Sequence, residues 1–255
     1  MNLKTRLDDV RAEYLRRLSP NDDTSLLAQL EQHITARMGK MLRPQLLLLA
    51  ADTLGQADTP RTTLLAVAVE MLHNASHLHD DVIDHDDLRR GQPSANARFG
   101  NTAAVLAGDY LLAQVMTILH EVDDRDAALL VNRTVTTMVQ AELLQLQTSN
   151  EKLGIRNEEL ADAEKNPNSP IPNSKFLIPN FSTYLRIIDG KTASLFACAC
   201  ALGNPLYYDF GLHYGRLFQL RDDIADHEDN PFTANLIEQE TAALAAIKNH
   251  LPIHN

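Results

Sequence analysis

Tryptophan is absent from this 255-residue chain, cysteine occurs only twice, and aromatic residues make up 5% of the total. Two cysteines cannot build a disulfide framework for a protein of this length. They stand at positions 198 and 200, and an i,i+2 pair on a helix points its side chains apart, so both are expected as reduced core thiols. Basic residues are also in short supply. The 23 Lys and Arg against 34 Asp and Glu give a formal charge of -11, which argues against the basic stripe of an extended nucleic-acid partner. Long apolar runs are missing as well. "LLLLAA" and "LFACACALG" end short of the roughly 18 residues a membrane span needs. The start, "MNLKTRLDDVRAEYLRRLSP", alternates charged with apolar residues and has no secretory core. The expectation is a cytoplasmic protein with no membrane span and no nucleic-acid partner.

What is present is helical periodicity. Residues 3–17, 24–37, 44–54, 60–85, 101–121, 126–148, 182–202 and 208–227 carry apolar positions at i, i+3, i+4 and i+7, and strand-like alternation is scarce, so the fold class is all-α. Pro44 suits a first helical residue and Gly55 a stop, so 44–54 is expected as a capped helix. One stretch, 148–180, collects four prolines among many asparagines and serines and reads as a long loop inserted within one domain spanning 1–255. The tail, 231–255, has periodicity for one last short helix.

The chemistry gathers in "HLHDDVIDHDDLRRG", residues 77–91, with five aspartates, three histidines and two arginines. Asp80, Asp81 and Asp84 form D-D-x-x-D, which puts 80 and 84 one helical turn apart with 81 beside them. Carboxylates this close repel one another unless a cation sits among them, and hard oxygen ligands of this kind suit Mg²⁺ shared with a phosphate. Asp222, Asp223 and Asp226 repeat the spacing in "FQLRDDIADHE". One such cluster is usually a solvated face, as expected of the Asp pairs at 22–23 and 123–124; two copies, each after an apolar helical run, point to paired carboxylate jaws around a metal-bridged anion. Lys40 and Arg43 of "GKMLRP", Arg89 and Arg90 of "LRRG" and Lys191 of "GKT" then supply cations for a diphosphate. "GKT" is not a P-loop ending, because Leu185 stands where that motif needs glycine and no strand precedes it.

Taken together, "GKMLRP", "EMLHNASHLHDDVIDHDDLRRG", "GNTAAVLAGDYLLA", "AELLQLQ", "YLRIIDGKTASLF" and "YGRLFQLRDDIAD" resemble the trans-isoprenyl diphosphate synthases, the polyprenyl synthetase family, in family order from Gly39 to Asp226. Class I terpene cyclases share the first motif but usually carry an N/S/E-type second one. The resemblance implies an isoprenoid-synthase-type helical bundle with a central active-site cavity. There an allylic diphosphate ionises with Mg²⁺, three ions per site in the family, and isopentenyl diphosphate attacks to give an all-trans chain longer by five carbons.

Carried over by position, Asp80, Asp81, Asp84, Lys191, Thr192, Gln219, Asp222 and Asp223 match catalytic residues, and Asp80, Asp84, Asp222 and Asp226 match metal ligands. Arg89 and Lys191 match residues holding the allylic diphosphate; Lys40, Arg43, His73 and Arg90 match those holding isopentenyl diphosphate; Thr192 and Gln219 match dipoles that face the developing cation. For His73 the residue alone reads as an ordinary helix histidine, and only the family position assigns it a role. Ala75 and Ser76, five and four residues before Asp80, are small where short-chain synthases place an aromatic plug, which implies a product longer than fifteen carbons. A homodimer is the family expectation.

The chain departs from the family after the second acidic motif. The usual lysine-bearing loop does not follow; no lysine or arginine occurs between Asp226 and Lys248, and the part after 226 reads as shortened. Three explanations stand: a compact active synthase, a non-catalytic or regulatory subunit of a heteromeric synthase, and a truncated or degraded product or a cyclase; a structural bundle with acidic faces is a reading of a different class. Retention of all six aspartates favours the first, since carboxylates without a metal repel at a cost.

Overall fold

The computed structural model describes residues 1–18, 25–36, 38–89, 91–153, 181–225 and 233–250. The chain forms two compact units, one built from Met1–Leu130 with Cys198–Tyr208, the other from Val131–Ala197 with Asp209–His250.

The first unit contains α1 (Leu3–Leu18), α2 (Leu26–Thr35), α3 (Leu42–Asp52), α4 (Pro60–Ile83), a hairpin of β1 (Leu88–Arg89) and β2 (Gln92–Pro93), α5 (Ala95–Phe99) and α6 (Asn101–Val122). Local chemistry sets the helix starts. Ser25 accepts the Ala28 N–H at 3.1 Å, and Thr59 accepts the Thr62 N–H at 3.2 Å ahead of Pro60, whose missing N–H costs nothing in a first turn. Helix α3 begins at Leu42, two residues before the Pro44 start expected from the sequence, because its third position also needs no intrahelical N–H bond. Gly55 sits at φ +67° as the expected stop.

Helices α4 and α6 pack closely at Gly108, where a Cβ would lie 2.3 Å from the His79 ring. This contact bears on the membrane expectation. By length and composition α6 could cross a membrane, contrary to the view that no segment comes near that length. Its Ala104, Gly108, Leu111 and Val115 are buried, as in a core helix, and composition alone shows no span.

The first unit also holds a set of buried ionisable groups. Asn74 Nδ2 donates to Tyr14 Oη at 2.9 Å, and the negative charges of Glu70 and Glu31 act on Tyr14, which burial pushes well above its ordinary pKa. Glu31 is 7% exposed, and its Oε1 has no hydrogen-bond partner among the described residues. Burial pushes its carboxyl up to about 7.

The second unit takes most of α7 (Arg125–Leu153), then α8 (Phe181–Ile188), a π-helical turn (Asp189–Ala193), the start of α9 (Ser194–Gly203), α10 (Tyr208–Ala225) and α11 (Thr233–His250). Tyr184, Ile188, Leu220 and Leu236 form a core cluster that ties α8, α10 and α11 together, with Leu185 and Ile237 against it. Glycines permit close approach here too: a Cβ on Gly211 would meet the Phe196 carbonyl at 2.6 Å, and one on Gly215 would meet Ala193 Cα at 2.5 Å.

Several expectations are corrected. Helix α7 continues to Leu153, so 148–153, expected as the start of a loop, are helical; Glu151, Lys152 and Leu153 are good helix formers, and Gly154 follows them. The rest of the 148–180 stretch lies outside the described residues. The segment 182–202 is not one continuous helix, because the π turn interrupts it. The tail helix is not short, at 18 residues. Cys198 and Cys200 are buried thiols outside any disulfide, as expected.

Candidate functional site

The first acidic motif closes a long helix. Asp80 and Asp81 lie in the last turn of α4, and Asp84 caps it with its N–H bonded to the Asp80 carbonyl at 2.8 Å. The C-terminus of a helix carries the negative end of the macrodipole, so carboxylates gathered there favour a cation. The three are not equivalent. Asp81 is only 3% exposed; its Oδ1 accepts from Arg89 Nη1, and its backbone carbonyl accepts from Asn96 Nδ2 at 3.1 Å. Asp80 and Asp84 are each partly exposed.

Arg89 reaches α4 from the hairpin, whose turn is allowed by Gly91 at φ +75°. Its Nη2 donates to His77 Nδ1, and the His77 ring lies 4.1 Å from that of His73, centroid to centroid. His73 Nε2 in turn accepts from Arg43 Nη1 at 3.1 Å. Arg43 is buried on α3, just after Met41, which holds a left-handed φ of 51°. Lys40 is exposed, and its carbonyl accepts from Gln45 Nε2. Arg90 lies outside the described residues.

In the second unit, Lys191 and Thr192 sit on the π turn, a geometry that recurs at functional sites. The turn lies close against α7, since a Cβ on Gly190 would come within 2.3 Å of Ala141 Cβ. Lys191 Nζ pairs with Glu142 Oε2 at 2.7 Å. Thr192 Oγ1 donates to Gln219 Oε1 at 2.7 Å, and Gln219 Nε2 donates to Asp223 Oδ1 at 2.8 Å. Tyr184 Oη donates to Asp223 Oδ2, completing a relay of four side chains. Asp223 is 6% exposed, whereas Asp222 faces solvent in the last turn of α10. Asp226 lies outside the described residues.

The turn is also braced from its first residue. Arg216 donates to both oxygens of Asp189, at 2.5 and 2.7 Å, and to Glu240 at 3.3 Å, while Glu240 pairs with His213. The hydrogen bond to Asp189 holds the Arg216 guanidinium above its ordinary pKa.

The residues singled out from the sequence thus fall into two sets. Arg43 meets His73 and Asp81 meets Arg89 in the first unit; Thr192, Gln219 and Asp223 meet in the second. Each motif has the same internal division: the middle aspartate is buried and held by hydrogen bonds, and the first is more exposed, partly at Asp80 and fully at Asp222. The oxygen-only donors at two helix C-termini fit a hard divalent cation. Among the described residues no three His, Cys, Asp or Glu side chains converge by themselves on a metal-sized site. Sequence reasoning did not single out His77, Asn96, Glu142, Tyr184, Asp189, Arg216 or Glu240. His77, Glu142, Tyr184, Asp189 and Arg216 lie inside the quoted motifs, where residue type alone gives no reason to choose them.

Residues 24–237 match the family model for polyprenyl synthetase, and the chain belongs to that family. Among individual relatives, it is 33% identical over 218 residues to the all-trans-nonaprenyl-diphosphate synthase (geranyl-diphosphate specific) of Rhodobacter capsulatus, covering 82% of this chain and 59% of that protein. It is 31% identical over 228 residues to the octaprenyl diphosphate synthase of Escherichia coli K12, covering 86% of this chain and 62% of that protein. The chain therefore spans about three fifths of the length of these curated relatives. The crystal structure of a polyprenyl synthase from Caulobacter crescentus CB15, complexed with calcium and isoprenyl diphosphate, aligns with a TM-score of 0.71 at 30% identity, over 98% of this chain and 73% of that one. The expected isoprenoid-synthase-type, all-α fold is borne out by these likenesses.

Proposed function

We propose that the chain is a trans-prenyltransferase that condenses isopentenyl diphosphate with an allylic diphosphate, acting in the cytoplasm as a homodimer. The observation that carries the reading is the repeated D-D-x-x-D spacing, with the first two aspartates of each motif in the last turn of a helix, the second buried and the first more exposed. Asp80, Asp84, Asp222 and Asp226 would hold Mg²⁺, three ions per site as in the family. When bound, Mg²⁺ would stabilise the charge that develops on the departing diphosphate.

The chain's own residues do the rest. Arg89 and Lys191 hold the allylic diphosphate, and Lys40, Arg43, His73 and Arg90 hold isopentenyl diphosphate through charge-assisted hydrogen bonds. Thr192 donates its hydroxyl hydrogen bond to Gln219, which leaves its oxygen lone pairs free to stabilise an electron-poor allylic carbon. Asp81 and Asp223 take a positioning part, since their oxygens are engaged by Arg89, Gln219 and Tyr184. The small Ala75 and Ser76, and the octaprenyl and nonaprenyl names of the relatives, support a product longer than fifteen carbons.

The test is incubation of the purified chain with labelled isopentenyl diphosphate and several allylic primers, with and without Mg²⁺, followed by mass analysis of the products. Mg²⁺-dependent elongation beyond fifteen carbons is the expected result, and Ala75→Phe should shorten the product. No elongation from any primer would favour a non-catalytic subunit instead; a ten- or fifteen-carbon product alone would refute the chain-length reading.

A further inference from the structure

His77 has no part in the reaction as proposed, yet it occupies the centre of a continuous row of polar side chains. Arg43 donates to His73, the His73 and His77 rings touch, and Arg89 donates to His77 and to Asp81. Helix α4 creates the row by placing the two histidines at i,i+4 on one face.

The chemistry of the donors fixes the state of both rings. A guanidinium N–H can only donate and keeps its proton in a protein, so the imidazole nitrogen it meets must be an unprotonated acceptor. His73 therefore carries its proton on Nδ1, and His77 carries its proton on Nε2; both are neutral. Two neutral rings thus separate two cations that would otherwise approach along the same helix face.

Packing alone leaves the Arg89 guanidinium some freedom, since its side chain is 29% exposed. Its backbone belongs to a two-residue strand, and its side chain borders a pocket of about 60 Å³ lined also by His33, Asn74, His77, Leu78 and Asp81. Space of that size holds a water or two beside the guanidinium. The direction of the guanidinium depends instead on its two polar partners, Asp81 and His77.

We propose that His77 is a positioning residue that orients Arg89 for the allylic diphosphate, and that its ring contact with His73 sets Arg89 and Arg43 as one preformed row for the two diphosphates. This rests on the assignment of Arg89 and Arg43 to the two substrates in the proposed function. A histidine present only to fill space on α4 would be replaced by leucine with little effect on substrate affinity.

The test compares His77→Leu, which removes the acceptor, with His77→Asn, whose amide oxygen can accept from Arg89, both in the full chain. Losing one hydrogen bond to a charged group is expected to raise KM for the allylic diphosphate about tenfold in His77→Leu. KM for isopentenyl diphosphate should rise much less, and His77→Asn should recover most of the loss. An unchanged allylic KM in His77→Leu overturns the proposal, as does a rise in both KM values together with a fall in melting temperature. Imidazole ¹⁵N spectroscopy of the unmodified chain supplies a readout independent of turnover. It should show His77 neutral with its proton on Nε2, and a proton on Nδ1 overturns the proposal. A chain that gives this spectrum but elongates no primer refutes the proposed function and leaves the geometry of the Arg89–His77 pair standing.

Discussion

Replacing Glu31 by glutamine should stabilise the protein at alkaline pH and do much less at pH 5. The native carboxyl titrates at about 7 because burial disfavours its charged form, against an ordinary value of 4.5. Between those values the native state holds a proton that the unfolded chain has released, so stability falls as pH rises from about 4.5 to about 7, then levels off. A shift of this size corresponds to about 3 kcal/mol at pH 8, at about 1.4 kcal/mol per unit, of which roughly a quarter is already present at pH 5. Glutamine is neutral throughout and resembles the protonated acid. The advantage of Glu31→Gln over the parent should therefore grow by about 2 kcal/mol from pH 5 to pH 8. Urea unfolding of both proteins at pH 5, 6, 7 and 8, read by circular dichroism, measures this difference, and other titrating groups cancel in the comparison. Tyr14 and Tyr110, which feel the charge of Glu31, are tyrosines whose pKa values burial raises, so neither titrates in this range. A gap that stays constant with pH, or a glutamine variant less stable at pH 8, would refute the reasoning.

Three further outcomes bear on the second unit. Gly190→Ala places a Cβ 2.3 Å from Ala141 Cβ, so it should cost about 1–3 kcal/mol and cut turnover by displacing Lys191 and Thr192; adding Ala141→Gly should restore much of both, by denaturation and elongation assay. Tyr184→Phe leaves the buried Asp223 one donor short and should lower stability by about 1–3 kcal/mol in chemical denaturation, with a loss near zero ruling out the hydroxyl as its donor. Arg216→Lys cannot reproduce the two-pronged hold on Asp189 while reaching Glu240, and should lower stability by about 1–2 kcal/mol with a measurable fall in melting temperature.

Helix positions were legible because burial of one face imposes a 3.6-residue period, and the stop at Gly55 carries a local signal that needs no tertiary context. The π turn was not legible, because one extra residue in a helical turn barely disturbs a 21-residue apolar pattern across 182–202. The hairpin at 88–93 was too short to alternate. In the site, residue type and spacing marked all six aspartates and the main cations. Spacing could not separate Asp81 from Asp80, or Asp223 from Asp222, since adjacent carboxylates on a helix end look alike until their partners are known. Those partners come from elsewhere in the chain: Arg89 across a hairpin, and Tyr184 39 residues before Asp223. Glu240 belongs to a helix that the sequence suggested only as a short tail, so its ion pairs with Arg216 and His213 had no visible origin.

The central claim is that both aspartate motifs serve a metal-bridged diphosphate. Calorimetric titration of the full chain with inorganic pyrophosphate, with and without Mg²⁺, tests it most directly when repeated on Asp80→Asn and Asp222→Asn. The account predicts binding only with Mg²⁺ present, weakened about tenfold or more by either substitution, the scale of losing one charge-assisted contact. Binding that ignores Mg²⁺, or that survives both substitutions unchanged, would contradict it.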